Sequence, residues 1–315
     1  MISAFALTGP TASGKTAISL YLAARLGAEI ISCDSMQIYR GMDIGTAKAT
    51  PEERAAVPHH MIDFLSPDVS YSTEDYRRDA LLVAEEIVKR GNVPLFVGGT
   101  GLYVDTLMRG AVASPPSDPE LRESLMREAA IDGGKERLWQ RLCEVDPKSA
   151  AATHANNVRR VVRALEIYEL SGVPKSRFDE LSKAAAPDIS IRMLTLDFHD
   201  RDNLYKRVDK RVDIMVAEGL IPEVEALYRA GLLRPEYTAS QAIGYKEIVS
   251  YIEGKCSLGE AIELIKLSSR RYAKRQLTWF RHVEGAERLY IDDEQGRIKS
   301  VDTLTSEAYS LLVRD

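Results

Sequence analysis

Cysteine is scarce and unpatterned in this chain. Its 315 residues include only Cys33, Cys143 and Cys256. The number is odd, the positions are far apart and none forms a C-x-x-C pair, so neither a disulfide framework nor a zinc module is expected, and a reducing cytosol suits the chain. Long apolar runs are also missing; nothing approaches the length that spans a bilayer. The first residues run straight into a strand-like segment, which leaves no room for a signal peptide and adds to the cytoplasmic expectation. Positive charge is not in excess: 42 Lys and Arg against 47 Asp and Glu give a net charge of −5. The molecule is therefore no general polyanion binder, and any nucleic-acid contact must rest on local basic patches. Internal repeats and low-complexity tracts are absent. What remains is an ordinary globular composition, long enough for one large domain or two modest ones.

The most informative segment comes early. Gly9-Pro10-Thr11-Ala12-Ser13-Gly14-Lys15-Thr16 reads G-x-x-x-x-G-K-T. An apolar run at 4–7 precedes it, and Ala17, Leu20, Tyr21 and Ala24 follow with helical period. That is the strand–loop–helix setting of a phosphate-binding P-loop. Glycines let the backbone curl so that its N–H groups face an anion, and the N-terminus of the next helix adds partial positive charge. Lys15 brings a mobile cation, and Thr16 a hydroxyl for Mg²⁺. The segment implies a bound di- or triphosphate, without saying which, or what becomes of it.

Around this loop, strand-like runs (4–7, 29–33, 94–97) alternate with helical runs (16–26, 74–90 and Gly101–Met108). Ser72 with Asp75 has the pattern of a capping box. Such alternation argues for an α/β fold with a parallel sheet covered on both faces. Composition then shifts. Ser114-Pro115-Pro116-Ser117-Asp118-Pro119 is turn-rich and hinge-like. Only helical patterns follow, at 120–129, 135–144 and 158–170; in the last, Val158, Val161, Val162 and Leu165 stand at i, i+3, i+4, i+7. Ala184-Ala185-Ala186-Pro187 closes the block, and 191–196 reads as a returning strand. We therefore expect a P-loop α/β core with C-terminal helices, formed by 1–114 and 188–315, and an inserted all-helical domain at 115–187. Further helices are expected at 203–217, 222–230 and Leu258–Arg281, and a last short strand at 288–291.

Asp34 follows the second strand, in Ile31-Ser32-Cys33-Asp34-Ser35-Met36-Gln37. In an open parallel sheet the strand carboxyl ends line the ligand crevice, and the P-loop ends at the same rim. A carboxylate there accepts a proton or holds a Mg²⁺-bound water, or else it caps a turn. Gly98-Gly99-Thr100-Gly101 follows the third strand. Nucleotide-hydrolysing P-loop enzymes end an apolar strand with a metal-holding aspartate. Here Leu95-Phe96-Val97 ends in glycine and threonine, which suits a backbone-and-hydroxyl site, or a plain turn, better than a metal carboxylate. Two basic helix faces stand out. Arg159, Arg160 and Arg163 share the polar side of one helix. Arg270, Arg271, Lys274, Arg275 and Arg281 lie along the last long helix, with Gln276, Thr278 and Trp279 among them. Each face either neutralises phosphates and meets unpaired bases, or is a solvated face paired with acids. His59-His60 is read as structural, because adjacent strand histidines point to opposite faces and share an ion poorly.

These segments together resemble the bacterial type of the tRNA dimethylallyltransferase (tRNA isopentenyltransferase) family. The resemblance is carried by the P-loop octapeptide, Asp34-Ser35-Met36-Gln37-Ile38-Tyr39, Gly41-Met42-Asp43-Ile44-Gly45-Thr46-Ala47-Lys48 and Pro58-His59-His60. It continues with Val97-Gly98-Gly99-Thr100-Gly101-Leu102-Tyr103, Arg160 with Arg163-Ala164-Leu165-Glu166, Ile243-Gly244-Tyr245 and Lys274-Arg275-Gln276-Leu277-Thr278-Trp279. The family transfers a dimethylallyl group from its diphosphate to the exocyclic amine of the adenosine 3′ of the tRNA anticodon, using Mg²⁺ and without hydrolysing ATP. The resemblance implies that Gly9, Pro10, Thr11, Ala12, Ser13, Gly14, Lys15 and Thr16 hold the diphosphate, with Mg²⁺ on Thr16. It implies catalytic roles for Asp34 as base, Thr100 near the reacting centre and Lys15 on the leaving group. It implies tRNA contacts from Asp34, Ser35, Met36, Gln37, Thr100, Arg122, Arg159, Arg160, Arg163, Gly244, Tyr245, Lys274, Arg275, Gln276, Thr278, Trp279 and Arg281. Arg159 stands where the family often has glutamine. A monomeric, cytoplasmic enzyme without membrane contact is expected. Two other enzyme classes also fit the P-loop. A small-molecule kinase using ATP gives the arginine helices no role. A free-nucleotide isopentenyltransferase of the plant-hormone type is closer, but the inserted block and basic faces favour a macromolecular acceptor. A non-enzymatic RNA-binding module leaves the P-loop and Asp34 unexplained.

Overall fold

The structure, a computed structural model, describes residues 1–110, 112 and 114–314. It divides into two compact units, Met1–Met108 with Ile189–Asp315, and Arg109–Asp188. In the first unit the chain forms β1 (Ile2–Thr8), α1 (Lys15–Leu26), β2 (Ala28–Ser32), α2 (Pro51–Ala56), β3 (His59–His60), α3 (Thr73–Lys89), β4 (Val93–Gly98) and α4 (Gly101–Met108). The second unit holds α5 (Pro119–Ala130), α6 (Gly134–Val145), α7 (Pro147–Ala151), α8 (Val158–Ser171) and α9 (Lys175–Ala184). The first unit then resumes with β5 (Ile189–Asp197), α10 (Arg201–Glu218), α11 (Leu220–Arg229), α12 (Tyr245–Ile252), α13 (Leu258–Arg281), β6 (Glu287–Tyr290) and α14 (Val301–Leu312).

The six strands make one parallel sheet in the order β3-β2-β4-β1-β5-β6. Successive strand residues point to opposite faces, so both faces must be apolar. Ala6 pairs with Phe96 and Met193, and these pack against α3 and α4. Leu7, Leu95 and Leu194 face the other way, against α1, α10, α13 and α14. A third apolar cluster joins the ends of α10 and α13 with α11, α12 and Tyr39 and Met42 from the segment after β2. Because every strand runs the same way, all carboxyl ends share one rim, where ligands meet such sheets.

The second unit has its own core of Leu125, Leu138, Leu142, Val161, Val162 and Leu165. Glu166 lies at its heart, fully buried. It accepts hydrogen bonds from Ser117 Oγ and the Asp118 N–H, both at 2.9 Å, from Arg122 at 2.7 Å and from Arg163 at 2.8 Å.

The expected strands appear with their ends moved by one or two residues, and the Ser72–Asp75 capping box forms at the start of α3. Five elements were not expected: α2, α7, α9, α12 and α14. Neither α2 nor α9 buries a residue, so no apolar stripe marks them. Their existence rests on local devices, such as the reciprocal Thr50–Glu53 bonds that open α2. The α14 helix does carry a stripe, Leu304, Ala308 and Leu312, after a Ser300 cap. The two-residue β3 is held by pairing with Ile30 and Ile31 rather than by any pattern of its own.

Candidate active site at the sheet rim

The loop from Gly9 to Gly14 joins β1 to α1. Gly9 adopts φ 141°, and a Cβ there would lie 2.9 Å from the Leu196 Cβ, so only glycine lets β1 turn beside β5. Two side chains from distant sequence hold the loop. Arg207 Nε on α10 donates to the Ala12 carbonyl at 2.8 Å. Gln276 on α13 accepts from the Thr11 N–H and donates through Nε2 to the Gly99 carbonyl, both at 2.8 Å. Any side chain at Gly99 would collide with that amide. Lys15 Nζ folds back onto the carbonyls of Gly9, at 3.0 Å, and Pro10, at 2.7 Å. Burial, and then the Arg211 charge, draw its ammonium down from 10.5 to about 7, while Asp34 pulls the other way. The Ser13 hydroxyl is buried and has no hydrogen-bond partner among the described residues.

Loop, rim and helices enclose a cavity of about 580 Å³, all of it within the first unit. Thr11 to Thr16 line it, and so do Asp34, Ser35, Met36 and Gln37. Asp34 Oδ1 accepts from the Met36 N–H at 2.9 Å, so the carboxylate is turn-forming and cavity-lining at once. Its Oδ2 takes no hydrogen bond among the described residues. Gln37 is fully engaged: it accepts from Ser32 Oγ and donates to the carbonyls of Thr46 and Ala47. Thr100 is not part of the lining. Its hydroxyl accepts from the Ser35 N–H at 3.2 Å and so braces the Asp34 turn. Gly244 lines the cavity but Tyr245 does not. Tyr245 is buried and donates to Glu223, which also gathers the N–H groups of Asp43, Ile44 and Gly45.

The basic residues divide sharply. Arg270 is paired with Asp209, and Arg281 makes two bonds to buried Asp197. In the second unit, Arg122 and Arg163 are spent on Glu166, whereas Arg159 and Arg160 are exposed and without an ion pair among the described residues. On α13, Arg271, Lys274 and Arg275 are exposed and unpaired within the same limits. Arg271 and Arg275 reach the cavity, and Arg275 lies 5.6 Å over the Tyr272 ring. Thr278 and Trp279 are exposed on the same helix, outside the cavity lining. Gln276, by contrast, is inside, with both ends of its amide used.

Sequence reasoning missed Arg211, Tyr272 and Glu223. Arg211 lines the cavity beside Lys15 and Asp34, and burial lowers its pKa against the pull of Asp34. The signal available was the i, i+4 pair Arg207 and Arg211 on an otherwise mixed helix. Burial, then the Asp34 charge, raise the Tyr272 phenol to about 12. No group of three or more His, Cys, Asp or Glu side chains among the described residues is placed to hold a metal by itself.

A family model described as IPP transferase matches residues 37–283, well over half of the chain, and one described as isopentenyl transferase matches 2–63. A tRNA dimethylallyltransferase from Pelotomaculum thermopropionicum is 46% identical over 288 residues, 91% of this chain and 90% of that one. The chain belongs to the tRNA dimethylallyltransferase family. Among solved structures, the tRNA isopentenylpyrophosphate transferase of Staphylococcus epidermidis is 37% identical, with a TM-score of 0.70 over 98% of both chains. A eukaryotic dimethylallyltransferase acting on tRNA is 28% identical, with a TM-score of 0.82 over 98% of this chain and 77% of its own. The parallel-sheet fold described above is thus shared with these solved relatives.

Proposed function

We propose that the chain transfers a dimethylallyl group from dimethylallyl diphosphate to the exocyclic amine of the adenosine 3′ of a tRNA anticodon, releasing diphosphate. One observation carries this reading: a single cavity brings the glycine-rich loop, Lys15 and Arg211 together with one carboxylate, Asp34. The donor's diphosphate lies against the loop N–H groups, the Ser13 hydroxyl, Lys15 and Arg211, where leaving-group charge develops. Asp34, oriented through Oδ1, has Oδ2 free to take the amine's proton. The new N–C bond forms as the C–O bond to diphosphate breaks, and the bonding pair leaves with the diphosphate. Enclosure by the rim keeps water from competing.

Thr16 lines the cavity, and a hydroxyl plus substrate phosphates and water is a donor set that Mg²⁺ accepts. Thr16 would hold Mg²⁺ with the diphosphate, and the ion would supply charge neutralisation there. Arg271, Lys274 and Arg275, with Trp279 beside them, supply the unpaired charge and aromatic surface that grip an anticodon loop. Arg159 and Arg160 offer a second contact to the same tRNA. Thr100, Gln276, Tyr245, Arg122, Arg163 and Arg281 act through the residues they hold. The donor pocket comes from one chain, in keeping with a monomer, and the tRNA substrate points to the cytoplasm. Incubation with dimethylallyl diphosphate, Mg²⁺ and bulk tRNA, followed by mass analysis of nucleosides, should yield dimethylallyl-adenosine. ATP in place of that donor should yield no product. Failure of the first arm, or phosphorylation in the second, would overturn the assignment.

A further inference from the structure

The cavity lining is mixed. Polar groups come from Ser19, Ser32, Gln37 and His59, with Ile30 and Val97 among them; the His59 ring is tied through Nδ1 to the Val57 carbonyl at 2.7 Å. One stretch of it is apolar. Val212, Met215, Leu220, Ala242 and Ile265 all line it, and all belong to one buried cluster. A prenyl chain leaving the diphosphate is driven to the apolar stretch by its own transfer free energy.

The α10 helix connects the loop to that stretch. Residues four apart share a helix face, and here the row is Arg207, Arg211, Met215. Arg207 holds the Ala12 carbonyl, Arg211 stands within electrostatic reach of Lys15 and Asp34, and Met215 comes one turn later. A rise of 1.5 Å per residue puts Met215 about 6 Å beyond Arg211 along the axis. A five-carbon allyl group reaches roughly 5 Å from its ester oxygen, at about 1.5 Å per bond. Of the five lining residues Met215 is the least buried, 9% exposed against 0–5% for the rest. It is therefore the member of this group with the most surface left open. It is also unbranched and able to fill an irregular end.

We propose that Met215 sets the length of the prenyl group, so that the pocket takes a five-carbon allylic diphosphate and rejects a ten-carbon one. The inference rests on the donor assignment made above. The chemistry is unchanged for the longer donor: the amine nitrogen bonds C1, the C1–O bond breaks, diphosphate leaves with the electron pair, and the proton goes to Asp34.

The test compares kcat/KM for geranyl diphosphate and for dimethylallyl diphosphate at saturating tRNA, with products identified by mass. Wild type should use dimethylallyl diphosphate and discriminate against the geranyl donor. A single methylene in an apolar pocket is worth roughly 10–200-fold, so Met215→Ala should raise the geranyl-to-dimethylallyl ratio by at least about tenfold. Met215→Val removes less volume and should move the ratio less, in the same direction; it serves if a melting curve shows Met215→Ala unfolded. An unchanged ratio in a folded variant, or a wild type that uses both donors equally, overturns the length gauge. A wild type inactive with dimethylallyl diphosphate instead overturns the donor assignment beneath it.

Discussion

Gln276 distinguishes an RNA contact from a clamp, because the two roles predict opposite behaviour of one variant. In the structure its amide accepts from Thr11 and donates to Gly99, each at 2.8 Å, and the residue is 5% exposed. Gln276→Ala removes both bonds. Each is worth about 1 kcal/mol net, and the buried Gly99 carbonyl left without a donor costs about 1–3 kcal/mol more. Thr11 lines the cavity, so water can satisfy its N–H and that side adds little. The sum is about 3–5 kcal/mol, divided between global stability and the order of the loop. If about a third of it falls on the loop, donor binding weakens about tenfold, at 1.4 kcal/mol per decade. Calorimetry with dimethylallyl diphosphate in the absence of tRNA reads this directly. The slope of tRNA affinity against salt should stay at its wild-type value, since no cation has been removed. Intact donor binding combined with weakened tRNA binding would refute the clamp and return Gln276 to the RNA surface.

Asp34→Asn keeps the Met36 turn but cannot take a proton, so single-turnover transfer should fall roughly 10²–10⁴-fold with little change in the melting curve; a near-normal rate would move the base elsewhere. Lys15 is a base lowered to about 7 in the free site, so it is charged below that pH and neutral above it. Donor affinity should therefore weaken as pH rises past 7, with proton uptake on binding at pH 8; Lys15→Met should bind weakly at every pH and take up no proton, and persistence of the slope in that variant would contradict the assignment. Removing charge at Lys274 and Arg275 together should lower the log–log salt slope of tRNA binding by about 0.7–0.9 per lost phosphate contact and leave donor binding unchanged. Glu166→Ala should destabilise the chain by about 3 kcal/mol, the low end for a broken buried pair because both arginines can reach water. Burial opposes its ionisation, but Arg163 and Arg122 hold its carboxyl below the ordinary 4.5; the stability it contributes is full above 4.5 and lost as pH falls through the folded value, and an acid limb identical in wild type and variant would exclude it.

Much of the site was legible from residues 9–16 and 34–37, because a glycine-rich turn and a rim carboxylate are local features with local causes. The strands were legible because both faces of a parallel sheet are buried, which writes continuous apolar runs into the sequence. Partnership was not legible. Arg281 and Arg163 look like Arg275 in sequence, yet the first two end on Asp197 and Glu166 and the third does not. Gln37 and Gln276 carry amides suited to reading bases, but both are already committed within the protein. Arg211 escaped notice because its place depends on where α10 crosses the rim, a matter of tertiary packing. His59 was read as structural; it does bond Val57, and it also forms part of the cavity wall.

The strand order also sets a timetable for synthesis. Thr8 at the end of β1 bonds Thr195 on β5 across 187 residues of chain. At roughly 5–20 residues per second, β5 leaves the ribosome on the order of 10–40 s after β1. Once β4 has emerged, and until β5 arrives, the strand destined for the middle of the sheet has β4 on one side and an open, apolar edge on the other. The stretch between them is not idle: residues 109–188 are contiguous and own their core, so they can fold while the edge waits. The nascent chain is thus most prone to pairing with a neighbour on the same message after β4 has emerged and before β5 has, and a pause within that window would prolong the hazard.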